Sequence, residues 1–380
     1  MNFDLSEDQI AIRDAARNFA ETEIAPTAVQ RDIAGEFPTE IIKKLAELGF
    51  MGMMVSPEWG GAGLDTVSYV LAIEEISKVD ASVGVIMSVN NSLVCYGIEK
   101  WGSNYLKEKY LKPLATGQML GAFCLSEPEA GSDATKQKTE ALLEGDHYIL
   151  NGMKNWITNG TKADLYLLQA MTDKSKGHKG ISTFLVEKKW DGVEIGKKED
   201  KLGIRSSDTC SIGFSNVKIP KENLLGQEGI GFKIAMGTLD GGRIGVAAQA
   251  LGIAQASFEA SVKYSKERKA FDATISNLQA IQFKLADMAT NIEAARLLIY
   301  KAAKNKDEGK SYGKESSMGK LLASQAAVNS SLEAIQIHGG YGYVREYLVE
   351  RFLRDSKITQ IYEGTSEIQK IVIARSLIKD

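Results

Sequence analysis

The chain has 380 residues, 44% hydrophobic and 25% charged, enough apolar material for two or three packed units. Its 46 basic and 49 acidic side chains leave a formal charge of -3, which excludes a broad electrostatic pull toward nucleic acid or anionic lipid. Cys95, Cys124 and Cys210, like His147, His178 and His338, are scattered, so neither a disulfide framework nor a metal site is expected.

The N-terminal MNFDLSEDQI is acidic and enters a helical pattern at once. It reads neither as a secretory signal nor as an Arg-rich transit peptide. No apolar run is read as long enough to cross a membrane, and the expected location is cytoplasmic. Ser6 and Gln9 have capping-box spacing ahead of Ile10, Phe19 and Ile24. In PTEIIKKLAELG, Ile41, Ile42, Leu45 and Leu48 recur at helical spacing and Gly49 supplies a stop. SYVLAIEEISKVD and SNYLKEKYLKPLATG continue the helical pattern to about residue 120.

Near Met119 the character changes to short runs rich in β-branched and aromatic residues, such as LGAFCLSE, YILNGMKNWIT, DLYLLQAM, ISTFLVEK and CSIGFSNVKI. Helical periodicity returns after Leu225 in three long stretches, and EYLVERFLRDSKITQ and SEIQKIVIARSLI close the chain. The order helices, sheet, helices predicts an α+β protein: an N-terminal all-α domain (1–120), a middle β domain (121–225) and a C-terminal helical domain (226–380).

The glycine clusters WGGAGLD, GQEGIGF and GGYGYV lack GxGxxG spacing between a strand and a helix, so no Rossmann site is expected. There is no GxSxG elbow and no Walker lysine loop. The segments CLSEPEAGSD, KNWIT, KLGIR, the RxxF of ERKAF, QIHGGYGY and IYEGTSEIQ together resemble the acyl-CoA dehydrogenase family over essentially the whole chain, and most closely its short-chain, butyryl-CoA members. The resemblance implies an antiparallel β middle domain and a four-helix-bundle-like C-terminal domain. It also implies a homotetramer, FAD as cofactor, a short-chain acyl-CoA substrate and electron-transferring flavoprotein as acceptor. Branched-chain and medium-chain acyl-CoA substrates remain open.

Such an oxidoreductase removes a proton from the α carbon and a hydride from the β carbon, and no protein side chain accepts a hydride, so a flavin is required. The proton needs a carboxylate in a dry pocket, where desolvation raises its pKa. The resemblance assigns that role to Glu363 in IYEGT. Without the family motifs, the same residues read as a loop, with Gly364 and Thr365 making a turn and a helix cap. In some relatives, such as isovaleryl-CoA and long-chain enzymes, the base stands one residue before the arginine of LDGGRIG. That position is Gly242, which has no proton acceptor. Paired glycines there also read as a device for close packing.

The resemblance further places Phe123, Leu125, Ser126, Gly131 and Ser132 along the flavin, with Trp156, Ile157 and Thr158 beside its ring. Alternatively, the serines are turn residues and Trp156 is core. Glu129 departs from the family's usual small residue. Arg268, Phe271 and Gln279 resemble positions that reach the FAD of a neighbouring subunit, where an arginine suits a pyrophosphate. Gln336, Gly339 and Gly340 resemble a second such contact, although the glycines equally read as a helix C-cap. Thr365 and Glu367 resemble further flavin contacts. Implied substrate contacts are Ser132, Asp240, Gly241, Gly242, Arg243 and Gly364. Two rivals are kept: an acyl-CoA oxidase, typically longer, and a DNA-binding relative of the same fold, which would carry a basic C-terminal extension.

Overall fold

The computed structural model describes residues 4–378. Among the described residues, eight α-helices precede the first strand: α1 (Glu7–Phe19), α2 (Ala25–Ala34), α3 (Thr39–Glu47), α4 (Thr66–Val79), α5 (Ala81–Ser88), α6 (Tyr96–Trp101), α7 (Asn104–Leu106) and α8 (Lys112–Ala115). The expected capping box forms, with Ser6 and Gln9 each satisfying the other's backbone N–H. Ile41, Ile42 and Leu45 are buried on α3, but Leu48 is 49% exposed because it caps the helix beyond its apolar face.

The run from α5 to α6 is continuous through a π-helical segment, Val89–Cys95. Contrary to the sequence expectation, Ala81–Trp101 is long and apolar enough to cross a membrane, yet 94% of its apolar window lies inside the protein. It is the central core helix. Asn90 and Asn91, on the π segment, explain how it is held. Asn91 Nδ2 donates to the carbonyls of Phe50 and Met87 and its Oδ1 accepts from Met53 N; Asn90 Nδ2 donates to Met51 O and its Oδ1 accepts from Gly121 N. The first β-strand is thereby fixed to the helical core.

The strands are β1 (Gly121–Cys124), β2 (Glu140–Glu144), β3 (His147–Thr158), β4 (Leu165–Met171), β5 (Ile181–Glu187), β6 (Val193–Ile195), β7 (Thr209–Pro220) and β8 (Leu224–Leu225), in the order β6-β7-β3-β2-β4-β5-β8 with β1 on β4. Most pairings are antiparallel, as expected; β1 and β4 pair in parallel, and β2 meets β4 through one parallel residue pair, Glu140 with Met171. The sheet is therefore mixed. Its halves, joined at that point, enclose a core of Tyr148, Tyr166, Phe184, Phe214 and Ile219.

The C-terminal block packs α9 (Gly231–Glu267), α10 (Gln279–Asp307) and α11 (Gly313–His338) together, followed by α12 (Val349–Ile358) and α13 (Ser366–Ile378). Between α9 and α10, β9 (Lys269–Ala270) and β10 (Ala273–Thr274) form a small hairpin. The middle of α12 clamps all three regions. Arg354 bonds both oxygens of Asp32 at 3.1 and 2.7 Å and both of Glu350 at 2.6 and 2.9 Å, while Asp355 Oδ1 accepts from Ile204 N and Arg351 Nη2 donates to Val79 O. Replacing Arg354 leaves Asp32 largely buried without its cation. Arg354→Met is expected to lower stability by about 2–4 kcal/mol, measured by urea denaturation.

Candidate active site

Glu363 sits on the loop between α12 and α13 with φ +53°, followed by Gly364 with φ +87°. Two successive left-handed residues reverse the chain sharply, and for a glutamate this is an uncommon, strained conformation. The turn is held by donors from elsewhere. Lys320 Nζ on α11 donates to Gly364 O at 2.7 Å, and Gln369 Nε2 on α13 donates to Glu363 O at 3.1 Å and to Gly364 O at 2.8 Å. The preceding Tyr362 donates its hydroxyl to Gln249 on α9, whose amide donates in turn to Ala81 O. Thr365 Oγ1 accepts from Ile368 N, so the helix-cap reading of Thr365 holds.

The carboxylate itself is left free. Oε2 of Glu363 is enclosed and meets no hydrogen-bond partner among the described residues. Burial pushes its pKa up from 4.5 to about 7, with the charges of Arg243 and Lys320 pulling the other way. Neither cation pairs with it: Arg243 is bonded to Asp240 and Lys320 to the Gly364 carbonyl. A half-buried carboxylate poised near neutrality, with one oxygen enclosed and unpartnered, is suited to take up a proton.

Gly242 faces this group directly. A Cβ on Gly242 would stand 2.7 Å from Glu363 Oε2 and 2.6 Å from Leu93 Cδ2, so the position one residue before Arg243 has no room for a side chain beside the base. Both sequence readings of Gly242 hold, the vacant base position and the close approach. Gly245, one turn on, lets the Tyr69 and Ser88 hydroxyls lie against α9; Tyr69 donates to Ser88 at 2.9 Å. Asp240 and Arg243 form an ion pair; of the expected substrate positions on α9, Gly242 lies against Glu363, whereas Gly241 faces Ser92 O and the Tyr312 hydroxyl.

The β-domain positions show a second feature. Trp156 is 61% exposed with φ +61°, at a register break in the β3–β7 pairing. A β-bulge has turned it out of the sheet, against the core reading, and left a flat aromatic surface uncovered. Ile157 next to it is buried in the β-domain core, its carbonyl accepting from Gly160 N, so it supports the strand from behind. Thr158, Phe123, Leu125 and Ser126 are partly buried, whereas Gly131 and Ser132 are exposed, and a Cβ on Gly131 would meet nothing. Asn155 N donates to Ser126 O, tying this loop to β3.

What shapes the loop is a buried pair, Lys154 and Glu127, that lies in the KNWIT and CLSEPEAGSD segments but was not among the expected site residues. Lys154 Nζ, fully buried, donates to Glu127 at 2.8 Å, to Gln137 at 2.9 Å and to Leu125 O at 3.0 Å. Glu127 also accepts from the backbone of Lys138 and Thr139. Burial alone would raise Glu127, but the Lys154 charge and these bonds hold it below the ordinary range. Glu129, the departure from the family pattern, is exposed and pairs with Lys138 without disturbing this network.

Arg268, Gly339 and Gly340 line a cavity of about 620 Å³ with Tyr264, His338 and Tyr347. Cβ atoms on Gly339 or Gly340 would meet nothing, and Gly339 also ends α11 as its C-cap, as the alternative reading has it. Phe271 and Asp272 are the two loop residues of the β9–β10 hairpin, both with positive φ, and Phe271 is 87% exposed. Asp272 thus takes the turn geometry expected of it. Gln279 begins α10 and Gln336 lies in the last turn of α11, both exposed. This group is not brought to Glu363: Lys320, which holds the Glu363–Gly364 turn, and Gln336 are sixteen residues apart on α11, about 24 Å along the axis.

Family models match nearly the whole chain: the N-terminal domain of acyl-CoA dehydrogenase over residues 6–118, the middle domain over 122–217 and the C-terminal domain over 229–378. The chain belongs to the acyl-CoA dehydrogenase family. Family membership implies a flavin cofactor. The chain is 54% identical over 376 residues to the mitochondrial short-chain specific acyl-CoA dehydrogenase of Rattus norvegicus, covering 99% of this chain and 91% of that one. It is 49% identical to the solved butyryl-CoA dehydrogenase from Megasphaera elsdenii, with a TM-score of 0.98 and full coverage of both chains. It is also 53% identical, with a TM-score of 0.99 and full coverage of both, to a chain solved as part of work on the electron transferring flavoprotein of Acidaminococcus fermentans and flavin-based electron bifurcation.

The raised pKa of Glu363 has a cost that depends on pH. Its native form favours the proton, so its contribution to stability is complete below about 4.5 and is lost as pH rises through about 7. Glu363→Gln is therefore expected to melt at the same temperature as the parent in acid, and to be more stable by on the order of 1 kcal/mol or more above neutrality, read from thermal melts across that range.

Proposed function

We propose that this acyl-CoA dehydrogenase acts in the cytoplasm as an FAD-dependent oxidoreductase. It converts a short-chain acyl-CoA, butyryl-CoA first, to the trans-2-enoyl-CoA, with Glu363 as the base. The observation that carries this reading is the enclosed, unpartnered Glu363 carboxylate pressed against Gly242. When bound, FAD supplies the acceptor for the hydride that leaves the β carbon.

The residues present fit such a cofactor. Exposed Trp156 gives a flat wall, the Lys154–Glu127 pair fixes the Leu125–Ser132 loop, and Gly131 leaves room for close approach. Phe123, Leu125, Ser126, Ser132, Ile157 and Thr158 would line it, with Thr365 and Glu367 following the base. Arg268, Phe271, Gln279, Gln336, Gly339 and Gly340 would hold the FAD of a neighbouring subunit. The distance of Gln336 from Glu363 along α11 and the open Phe271 hairpin tip support that use, in a homotetramer. Electrons would then leave to electron-transferring flavoprotein.

On the substrate side, Asp240, Gly241, Gly242, Arg243, Ser132 and Gly364 would receive the acyl-CoA. Glu363 takes the α proton onto its carboxylate, and its own backbone N–H faces the thioester oxygen as charge develops there. Dryness keeps the carboxylate basic. Because the ionised form does the work, turnover should fall as pH drops through about 7.

Anaerobic titration of the flavin-loaded protein with butyryl-CoA should bleach the visible flavin band near stoichiometry. Bleaching only by longer or branched acyl-CoA would move the substrate, and no bleaching by any acyl-CoA would defeat the reading. Glu363→Gln should keep its flavin and lose turnover by about a thousand-fold or more. Gly242→Ala, which forces the carboxylate aside, should cost at least about ten-fold in turnover while the flavin is retained.

A further inference from the structure

We propose that Lys320 is a positioning residue for proton transfer: anchored on the Gly364 carbonyl, its ammonium fixes the strained turn that carries Glu363 and keeps a positive charge near the base without pairing with it. The proposal rests on the reading of Glu363 as the base.

Lys320 is fully buried, and no carboxylate pairs with its Nζ among the described residues. A buried lysine without a counter-ion is costly, and burial pushes its pKa down to about 8, with Arg243 lowering it further and Glu363 and Glu367 acting against that. Its hydrogen bond goes to the residue after the base, at one of two successive left-handed positions. Gln369 donates to the same carbonyl, so both lone pairs of Gly364 O are used.

A lysine paired directly with Glu363 would drive the carboxylate toward its ordinary pKa or below and weaken it as a base. Holding the ammonium on Gly364 avoids that. Arg243 on α9 is restrained in the same way by Asp240. The other titratable groups facing Glu363 are the Tyr362 hydroxyl, donated to Gln249, and the Tyr69 hydroxyl on α4, donated to Ser88; burial first, and the Glu363 charge second for Tyr362, raise both phenols, so neither supplies charge there. The base is thus flanked by two cations, each tied to another group.

The variants are Lys320→Gln, which keeps a donor for Gly364 O and loses the charge, Lys320→Met, which loses both, and Lys320→Arg, which keeps charge. Each is assayed as flavin-loaded enzyme with butyryl-CoA across pH, together with the melting difference between each background and its Glu363→Gln partner. Lys320→Gln should move the acid limb of turnover up by about one pH unit, a loss of about ten-fold near pH 6 and under about three-fold near pH 9. Lys320→Met should add a loss on the alkaline plateau, and Lys320→Arg should restore the limb. In the Gln background, the melting gain from Glu363→Gln should extend to higher pH. An acid limb unmoved in Lys320→Gln, or equal losses at every pH, overturns the proposal. If the parent turns over no acyl-CoA, the enzymatic reading falls separately; an unchanged melting difference then overturns the role of Lys320 on its own.

Discussion

Keeping one carboxylate desolvated, with an oxygen enclosed and unbonded, is the constraint from which much of this structure follows. An ionisable group taken out of water normally finds a counter-ion or gives up its charge. Glu363 does neither completely: two cations lie close enough to moderate it, and each is bound to something else. The turn that presents it is itself strained, with positive φ at Glu363 and Gly364. Neither cost is offset locally, so the surrounding helices must hold the arrangement.

They do so through side chains that reach across elements. Tyr362, Gln249 and Ala81 form a hydrogen-bonded line from the base loop through α9 to the start of α5. Gly242 and Gly245 let α9 come close enough for Leu93, Ser88 and Tyr69 to wall off the carboxylate. Farther out, Arg354 and Asp355 lock α12 onto the N-terminal helices and the β domain, so the loop that follows α12 starts from a fixed point.

The β domain solves a different problem, that of exposing a large aromatic residue from the middle of a strand. The register break in β3 turns Trp156 outward, and the buried Lys154–Glu127 pair two residues earlier anchors the same stretch to the loop after β1. A polar group buried in this way stabilises little unless fully bonded, but it specifies one loop conformation. The exposed hairpin tip at Phe271 and the open glycines at Gly339 and Gly340 show the same economy: surfaces left uncovered where this chain has nothing of its own to cover them.

Much of this was legible in the residues. Helical and strand periodicities located the long elements, the Ser6–Gln9 box and the Gly49 stop formed as spaced, and Gly242 was identifiable as a position without a proton acceptor. Short or exposed strands were not, because β2, β6 and β8 have too few residues or too little alternation to register. Periodicity located the Ala81–Trp101 helix poorly for another reason: a helix buried on all sides has no polar face to reveal its period. By itself the sequence determined the family and the helix, sheet, helix order, and it put Glu363 forward as the candidate base. Only the tertiary structure decided what desolvates Glu363 and raises its pKa. Desolvation, the Gly364 carbonyl that holds Lys320, and the Asp240 that holds Arg243 are relations between residues far apart in the chain, and no local pattern encodes them.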